Sequence, residues 1–252
     1  MTETVRHICR LIDKCSDDER RAILAHLRTH HPLETKWGVT ADAILTAIAR
    51  ASDLSLRGVR GLIAEAAFEQ FVLPTLGTEW SAAAVEGNQA YDFALCRLTD
   101  NLRVHVQVKL QRSERHNPLQ ASKSLRRKLR NPPEKLYIVE VQKTRGGKKR
   151  SKLSESGPEE SIETRPYRFG EFDVIAVNLH PSTGDWKLFM YTVGNWLLPS
   201  PEAKRLIATL QPVAAVSDDF WTDNLTSCIE RFLSGESRTL YDAETNSDNE
   251  SP

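Results

Sequence analysis

The chain has 252 residues, 40% of them hydrophobic, with 34 Lys+Arg against 34 Asp+Glu. No apolar run is long enough to span a bilayer, and the N-terminus lacks the apolar core and small-residue cleavage site of a secretory leader. Four scattered cysteines (Cys9, Cys15, Cys96, Cys228), none in a C-x-x-C pair, argue against a disulfide scaffold and a zinc site alike, so the chain reads as cytoplasmic, with reduced thiols and no membrane partner.

The first 52 residues read as a helical subdomain. Val5, Ile8, Leu11 and Ile12 recur at helical spacing. Ser16-Asp17-Asp18-Glu19 has the form of a capping box opening a second helix to about His30, and Thr40 is placed to cap a third. From Ser55 a long helix is predicted, with Leu56, Val59, Leu62, Ile63, Ala66 and Ala67 along one stripe, Glu65 beside it and Pro74 as its stop. Three strands follow at 80–86, 91–98 and 102–111, the last two joined by the short polar turn Thr99-Asp100-Asn101. A basic helix at 119–130 ends at Pro132-Pro133, and 135–143 is apolar enough to be a central strand. Strands at 172–179 and 186–193 are joined by HPSTGD, and 216–234 reads as a last helix. The fold class that follows is α/β, a mixed central sheet flanked by helices, over residues 53–235, with an acidic, disordered tail at 236–252.

Zero net charge hides an asymmetry. Residues 101–150 hold 15 Lys+Arg and only 3 Asp+Glu, while acid collects at 154–163 and after Gly235. Alternation in the third strand puts Arg103, His105, Gln107 and Lys109 on one face, and hairpin pairing brings Asp92 toward Gln107 and Lys109. A carboxylate, an amide oxygen and an ammonium gathered in this way suit a hydrolytic site for a hard cation such as Mg²⁺.

On these residues the chain resembles the PD-(D/E)xK nuclease superfamily, whose α-β-β-β-α-β core carries a glutamate on the first helix, an aspartate opening the second strand and (D/E)-x-K on the third. Glu65, Tyr91-Asp92 and Gln107-Val108-Lys109 take those places here, with the helix at 119–130 and the strand at 135–143 completing the core. Tyr91 stands where proline is usual, and Gln107 where the family has its second carboxylate. The resemblance is strongest to type II restriction endonucleases and implies Mg²⁺-dependent hydrolysis of double-stranded DNA to 5′-phosphate ends. It implies that Asp92, Gln107 and Glu65 hold the metal while Lys109 positions the attacking water. A homodimer and a cognate DNA methyltransferase are the partners implied. The alternatives are a structure-selective repair or recombination nuclease, and a DNA-binding protein whose site is degenerate at Gln107.

Phosphate contact is the natural role of Gln111, Arg112, Arg115, Lys123, Arg126, Arg127 and Arg130, which follow the site along the chain. His105 and Glu69 are read as neighbours rather than ligands. GGKKRSK (146–152) is read as a mobile loop or an arm that orders on DNA, and Asn195 and Trp196 as lying toward DNA.

Overall fold

The computed structural model describes residues 2–27, 31–85, 87, 89–115, 117–142, 148–150, 161–163 and 166–242. The chain divides into two compact units, Met1–Leu56 and Arg57–Pro252. Among the described residues, no helix is long and apolar enough to cross a membrane.

The first unit holds α1 (Glu3–Asp13), α2 (Asp17–Leu27), α3 (Pro32–Trp37) and α4 (Ala41–Ala49). Its helix starts are set by side chains that satisfy the first free backbone N–H groups. Ser16 and Glu19 form the reciprocal box: the Ser16 N–H donates to Glu19 Oε2 at 2.7 Å and the Glu19 N–H to Ser16 Oγ at 3.3 Å. Thr40 Oγ1 accepts from the Ala43 N–H at 3.2 Å. Glu34 serves two ends at once, accepting from the His31 N–H at 2.8 Å and the Ala41 N–H at 2.6 Å. The apolar stripe Val5, Ile8, Leu11 on α1 stays exposed.

The helix α5 (Asp53–Ala67) begins in the first unit and runs into the second, and the helical path does not stop at Pro74. It widens into a π turn at Phe68–Val72 and tightens into a 3₁₀ stretch at Leu73–Glu79, which Pro74 enters at its first turn, where no N–H is needed. Ala64, Ala67, Phe68 and Val72 face the core. Phe68 is seated between Phe93 (ring centroids 5.0 Å apart) and Phe189 (5.6 Å), which pins this helix to the sheet.

The strands in order are β1 (Trp80–Ala84), β2 (Phe93–Arg97), β3 (Arg103–Leu110), β4 (Ser113–Glu114), β5 (Asn117–Pro118), β6 (Leu136–Glu140), β7 (Lys148–Arg150), β8 (Ser161–Glu163), β9 (Val174–Asn178), β10 (Phe189–Val193) and β11 (Leu210–Ala214); α6 (Lys123–Arg127) precedes β6, α7 (His180–Thr183) follows β9, and α8 (Leu225–Leu233) follows β11. The central sheet is mixed, in the order β1-β2-β3-β9-β10. β1, β2 and β3 run as an antiparallel meander, β3 pairs parallel with β9, and β10 returns antiparallel. Every residue of β9 and β10 is buried, as strands covered on both faces of a sheet are. α8 packs on β10 through Leu225, Cys228 and Ile229, spaced as one helical face.

Four elements differ from the sequence reading. β6 is not in the central sheet: it pairs antiparallel with β11 in a separate two-stranded sheet, and β9 occupies the parallel position beside β3. The basic helix shrinks from 119–130 to α6, because Gln120 bridges to Tyr137 and the Ala121 N–H donates to the Leu136 carbonyl, which holds the preceding residues extended. The last helix begins at Leu225 rather than 216, since Asp218 turns its carboxylate back onto the Phe220 and Trp221 N–H groups. The start of the acidic tail is ordered: Leu240 and Tyr241 are buried, and the Tyr241 hydroxyl donates to Asp218 at 3.0 Å. Within 146–152, Lys148–Arg150 forms β7, paired with β8; 146–147, 151–152 and tail residues 243–252 lie outside the described residues.

Candidate active site

The hairpin β2–β3 fixes the first pair of side chains. Its turn is locked by Arg97, which donates to both carboxylate oxygens of Asp100 (3.0 and 2.6 Å), while Asp100 also accepts from the Leu102 N–H at 3.2 Å. These bonds hold the Asp100 carboxyl at about 2. Phe93 therefore pairs with Val106, and one more step sets Asp92 against Gln107; the Asp92 N–H donates to the Val106 carbonyl at 3.0 Å.

Asp92 Oδ2 accepts from Gln107 Nε2 at 2.5 Å and from the Val108 N–H at 2.8 Å. Lys109 follows on the same face of β3. Glu65, on the helix pinned by Phe68, is partly buried and lies within electrostatic range of both Asp92 and Lys109. Glu65, Asp92, Gln107 and Lys109 are thus brought together. Among the described residues, nothing hydrogen-bonds the Glu65 carboxyl.

Electrostatics follow from two acids and one base in a partly dry crevice. Burial, then repulsion by Asp92, raises Glu65 from 4.5 to about 7, against the pull of Lys109. Asp92 is also raised by burial, offset by Lys109 and the Val108 N–H. Lys109 is lowered by burial against the attraction of Asp92, Glu65 and Glu140. All three shifts favour the uncharged forms, which marks a site short of both water and counter-charge.

Gln107 is 1% exposed. Its amide N–H₂ group serves Asp92 and the Val108 carbonyl (3.1 Å), and its Oε1 accepts from the Tyr167 hydroxyl at 3.3 Å. Two acceptors on one side and a donor on the other fix the orientation of the amide. Its oxygen therefore points away from Asp92. Among the described residues, no three His, Cys, Asp or Glu side chains gather as a metal cluster. Asp92 and Glu65 fit a hard cation, being oxygen donors with unmet demand for positive charge; Gln107 fits as a third donor only with its amide turned over.

The other candidates scatter. His105 stacks on Tyr91 (4.1 Å) and pairs with Asp173 (Nδ1 to Oδ2, 3.2 Å), a buttress beside the site. Arg126 donates to the Pro133 and Glu134 carbonyls at 2.8 and 3.3 Å, tying down the loop after α6. Arg130 lines a recess with Asp218, Asp219 and Asp242, an acidic setting unlike a phosphate track. Lys123, Arg127 and Arg115 are exposed. Trp196 is buried, with its indole N–H donated to the Glu236 carbonyl at 2.8 Å, and Asn195 is exposed beside it. Sequence reasoning missed Tyr167, Glu140 and Asp173, which reach the site from segments far along the chain; only the final fold brings them near. Gln111 and Arg112 line a cleft with Arg57 and Arg60, two residues that sequence reasoning did not single out.

No known family profile and no curated protein matches the chain. Among solved structures, a bacterial homing endonuclease aligns over 73% of this chain and 96% of its own, with 15% sequence identity and a TM-score of 0.35. A likeness that loose carries no argument about either fold or activity.

Proposed function

We propose that the chain is a DNA endonuclease of the type II restriction kind, hydrolysing phosphodiesters of double-stranded DNA with Mg²⁺ at Glu65, Asp92 and Lys109. The observation that carries this reading is the convergence of two charge-starved carboxylates with one desolvated lysine at the mouth of the β2–β3 hairpin. A bound Mg²⁺ supplies a Lewis acid for the phosphoryl oxygens and lowers the pKa of a water. Asp92, held rigid by the Val108 N–H, and Glu65, which sheds its proton when a positive charge arrives, are the residues to hold it. Lys109, a donor with a lowered pKa, positions the attacking water and takes up developing negative charge. Gln107 holds Asp92 in its rotamer. A homodimer matches a two-fold duplex site, and a host making such an enzyme needs a cognate methyltransferase to protect its own DNA.

A second reading draws on the orientation of Gln107: a DNA-binding protein on the same fold, with its amide oxygen committed to Tyr167 instead of a metal. Incubation of supercoiled plasmid with Mg²⁺ or with EDTA separates the two. The nuclease gives Mg²⁺-dependent cutting into discrete fragments, and Asp92→Ala and Lys109→Ala each lower the rate by ~10²–10⁴ while keeping duplex affinity. Cutting only of branched substrates indicates a structure-selective nuclease. Full activity in either variant removes the assigned roles.

A further inference from the structure

Two residues beyond Lys109, Gln111 is 1% exposed, and among the described residues neither its Nε2 nor its Oε1 has a hydrogen-bond partner. Its backbone is immovable: the Gln111 N–H donates to the Asn178 carbonyl at 3.0 Å, and the residue bridges to Val139. The amide therefore sits at the junction of the two sheets. Gln111 is one of the residues lining a cleft of about 120 Å³, together with Arg57, Arg60, Leu110, Arg112, Ser113 and Glu140. Buried amides are almost always paired, so an open one in a cleft calls for a ligand.

The cleft selects that ligand by charge and size. Three guanidiniums face one carboxylate, and Glu140 is already engaged by Arg112 at 3.4 Å and by the Gln142 amide. Arg57 and Arg60 lie three apart on α5, on one face, and among the described residues neither makes an ion pair. Guanidinium forks match the oxygens of phosphate. The volume is well below the ~300–1,000 Å³ of small-molecule pockets, which leaves room for a tetrahedral anion but not for a base with its sugar. Glu140 links the cleft to the candidate active site, because it also acts on Lys109. Along the strand direction the two-residue step from Lys109 to Gln111 is roughly 7 Å, which keeps the cleft close to the candidate active site.

We propose that this cleft seats a backbone phosphate of the DNA strand, a neighbour of the phosphodiester presented to Lys109. The assignment rests on the nuclease reading for its substrate, and on the cleft alone for its chemistry. Gln111 Nε2 donates to a phosphate oxygen, Arg57 and Arg60 clamp the anion from the helix side, and Gln111 Oε1 accepts from a guanidinium drawn in with it. An uncharged donor at the floor of an arginine cradle adds direction where charge alone gives only attraction.

The test is duplex binding by the full-length protein in EDTA, read by fluorescence anisotropy of a labelled oligonucleotide across a salt series. Arg60→Ala is expected to weaken binding about tenfold and to flatten the salt slope by ~0.9, the loss of one neutralised phosphate. Gln111→Leu is expected to weaken binding several-fold and yet to melt at a higher temperature than the parent, a pairing of effects that a merely structural glutamine does not give. Parental affinity and slope in both variants, or no duplex binding by the parent, would overturn the proposal. If the variants bind weakly while the parent cuts nothing with any divalent cation, the cleft stands and the nuclease reading falls. If the parent cuts and the variants match it, the reverse holds.

Discussion

Gln211 and Gln111 are the same side chain at the same depth, 0% and 1% exposed, in opposite circumstances. Gln211, on β11, accepts from the Leu198 N–H at 2.8 Å and donates to the Leu198 and Ala208 carbonyls at 2.9 and 2.7 Å, stitching an irregular segment to the two-stranded sheet. The side-chain amide of Gln111, just past β3, has no hydrogen-bond partner among the described residues. An amide buried for structure is saturated by its own chain, whereas an amide buried and left open costs stability that only a ligand offsets. Both residues pair with Val139, one from each side, so the closed end of this junction, around Gln211, and its open end, around Lys109 and Gln111, lie only one strand apart.

The largest expected effect tests the closed end. Gln211→Leu strands the Leu198 N–H and the Ala208 carbonyl, while the Leu198 carbonyl keeps the Ala208 N–H at 2.9 Å, so it should lower unfolding free energy by on the order of 3 kcal/mol. Gln111→Leu strands nothing and should raise it by about 1 kcal/mol. Urea denaturation of both variants reads the two signs, and equal losses would erase the distinction between the ends.

Gln107 lies between these extremes, and Gln107→Glu is the next test. The substitution restores the carboxylate usual in the superfamily that the chain resembles. It also sets a carboxylate oxygen against Asp92 and the Val108 carbonyl, where the amide now donates. Without metal the variant should lose about 2 kcal/mol. With Mg²⁺ it should bind the ion about tenfold more tightly, read by calorimetric titration, because the amide no longer has to turn over. Unchanged affinity would mean that this position does not face the ion.

How much of this was legible in the sequence depends on the range of the interaction. The convergence of Asp92 on Gln107 was legible because it needs only strand alternation and a tight turn, both local. The face of the long helix was misread: Leu62, Ile63 and Ala66 of the expected stripe are exposed, and the buried side runs through Ala64, Ala67, Phe68 and Val72, so the place of Glu65 was legible only from the family pattern that the chain resembles. The exchange of β6 for β9 was not: both are five-residue apolar runs, and periodicity says which face a strand buries, not which strand it pairs with. The orientation of the Gln107 amide depends on Tyr167, sixty residues away in the chain, and the open state of Gln111 depends on a junction between two sheets. The place of Arg57 and Arg60 was not legible either, because it depends on the end of β3 lying beside them.

The smallest expected effect is a pH dependence confined to the open end. Glu65 is raised from 4.5 to about 7, so below 4.5 it is protonated in both folded and unfolded chains and its preference for the folded state is fully present. As pH rises from 4.5 through 7, the unfolded chain ionises first, and the metal-free folded state loses that stabilisation. Because Glu65 is half-exposed, solvent screening holds the loss to a fall in melting temperature of about 2–4 °C between pH 5 and pH 8. Glu65→Gln, with no proton to lose, should melt with a smaller difference between the two pH values. Adding Mg²⁺ should restore the parent at pH 8 and leave Glu65→Gln less affected, since the ion supplies the positive charge that the carboxylates lack. Equal melting shifts in the parent and Glu65→Gln, with and without Mg²⁺, would place the missing charge elsewhere than beside Glu65.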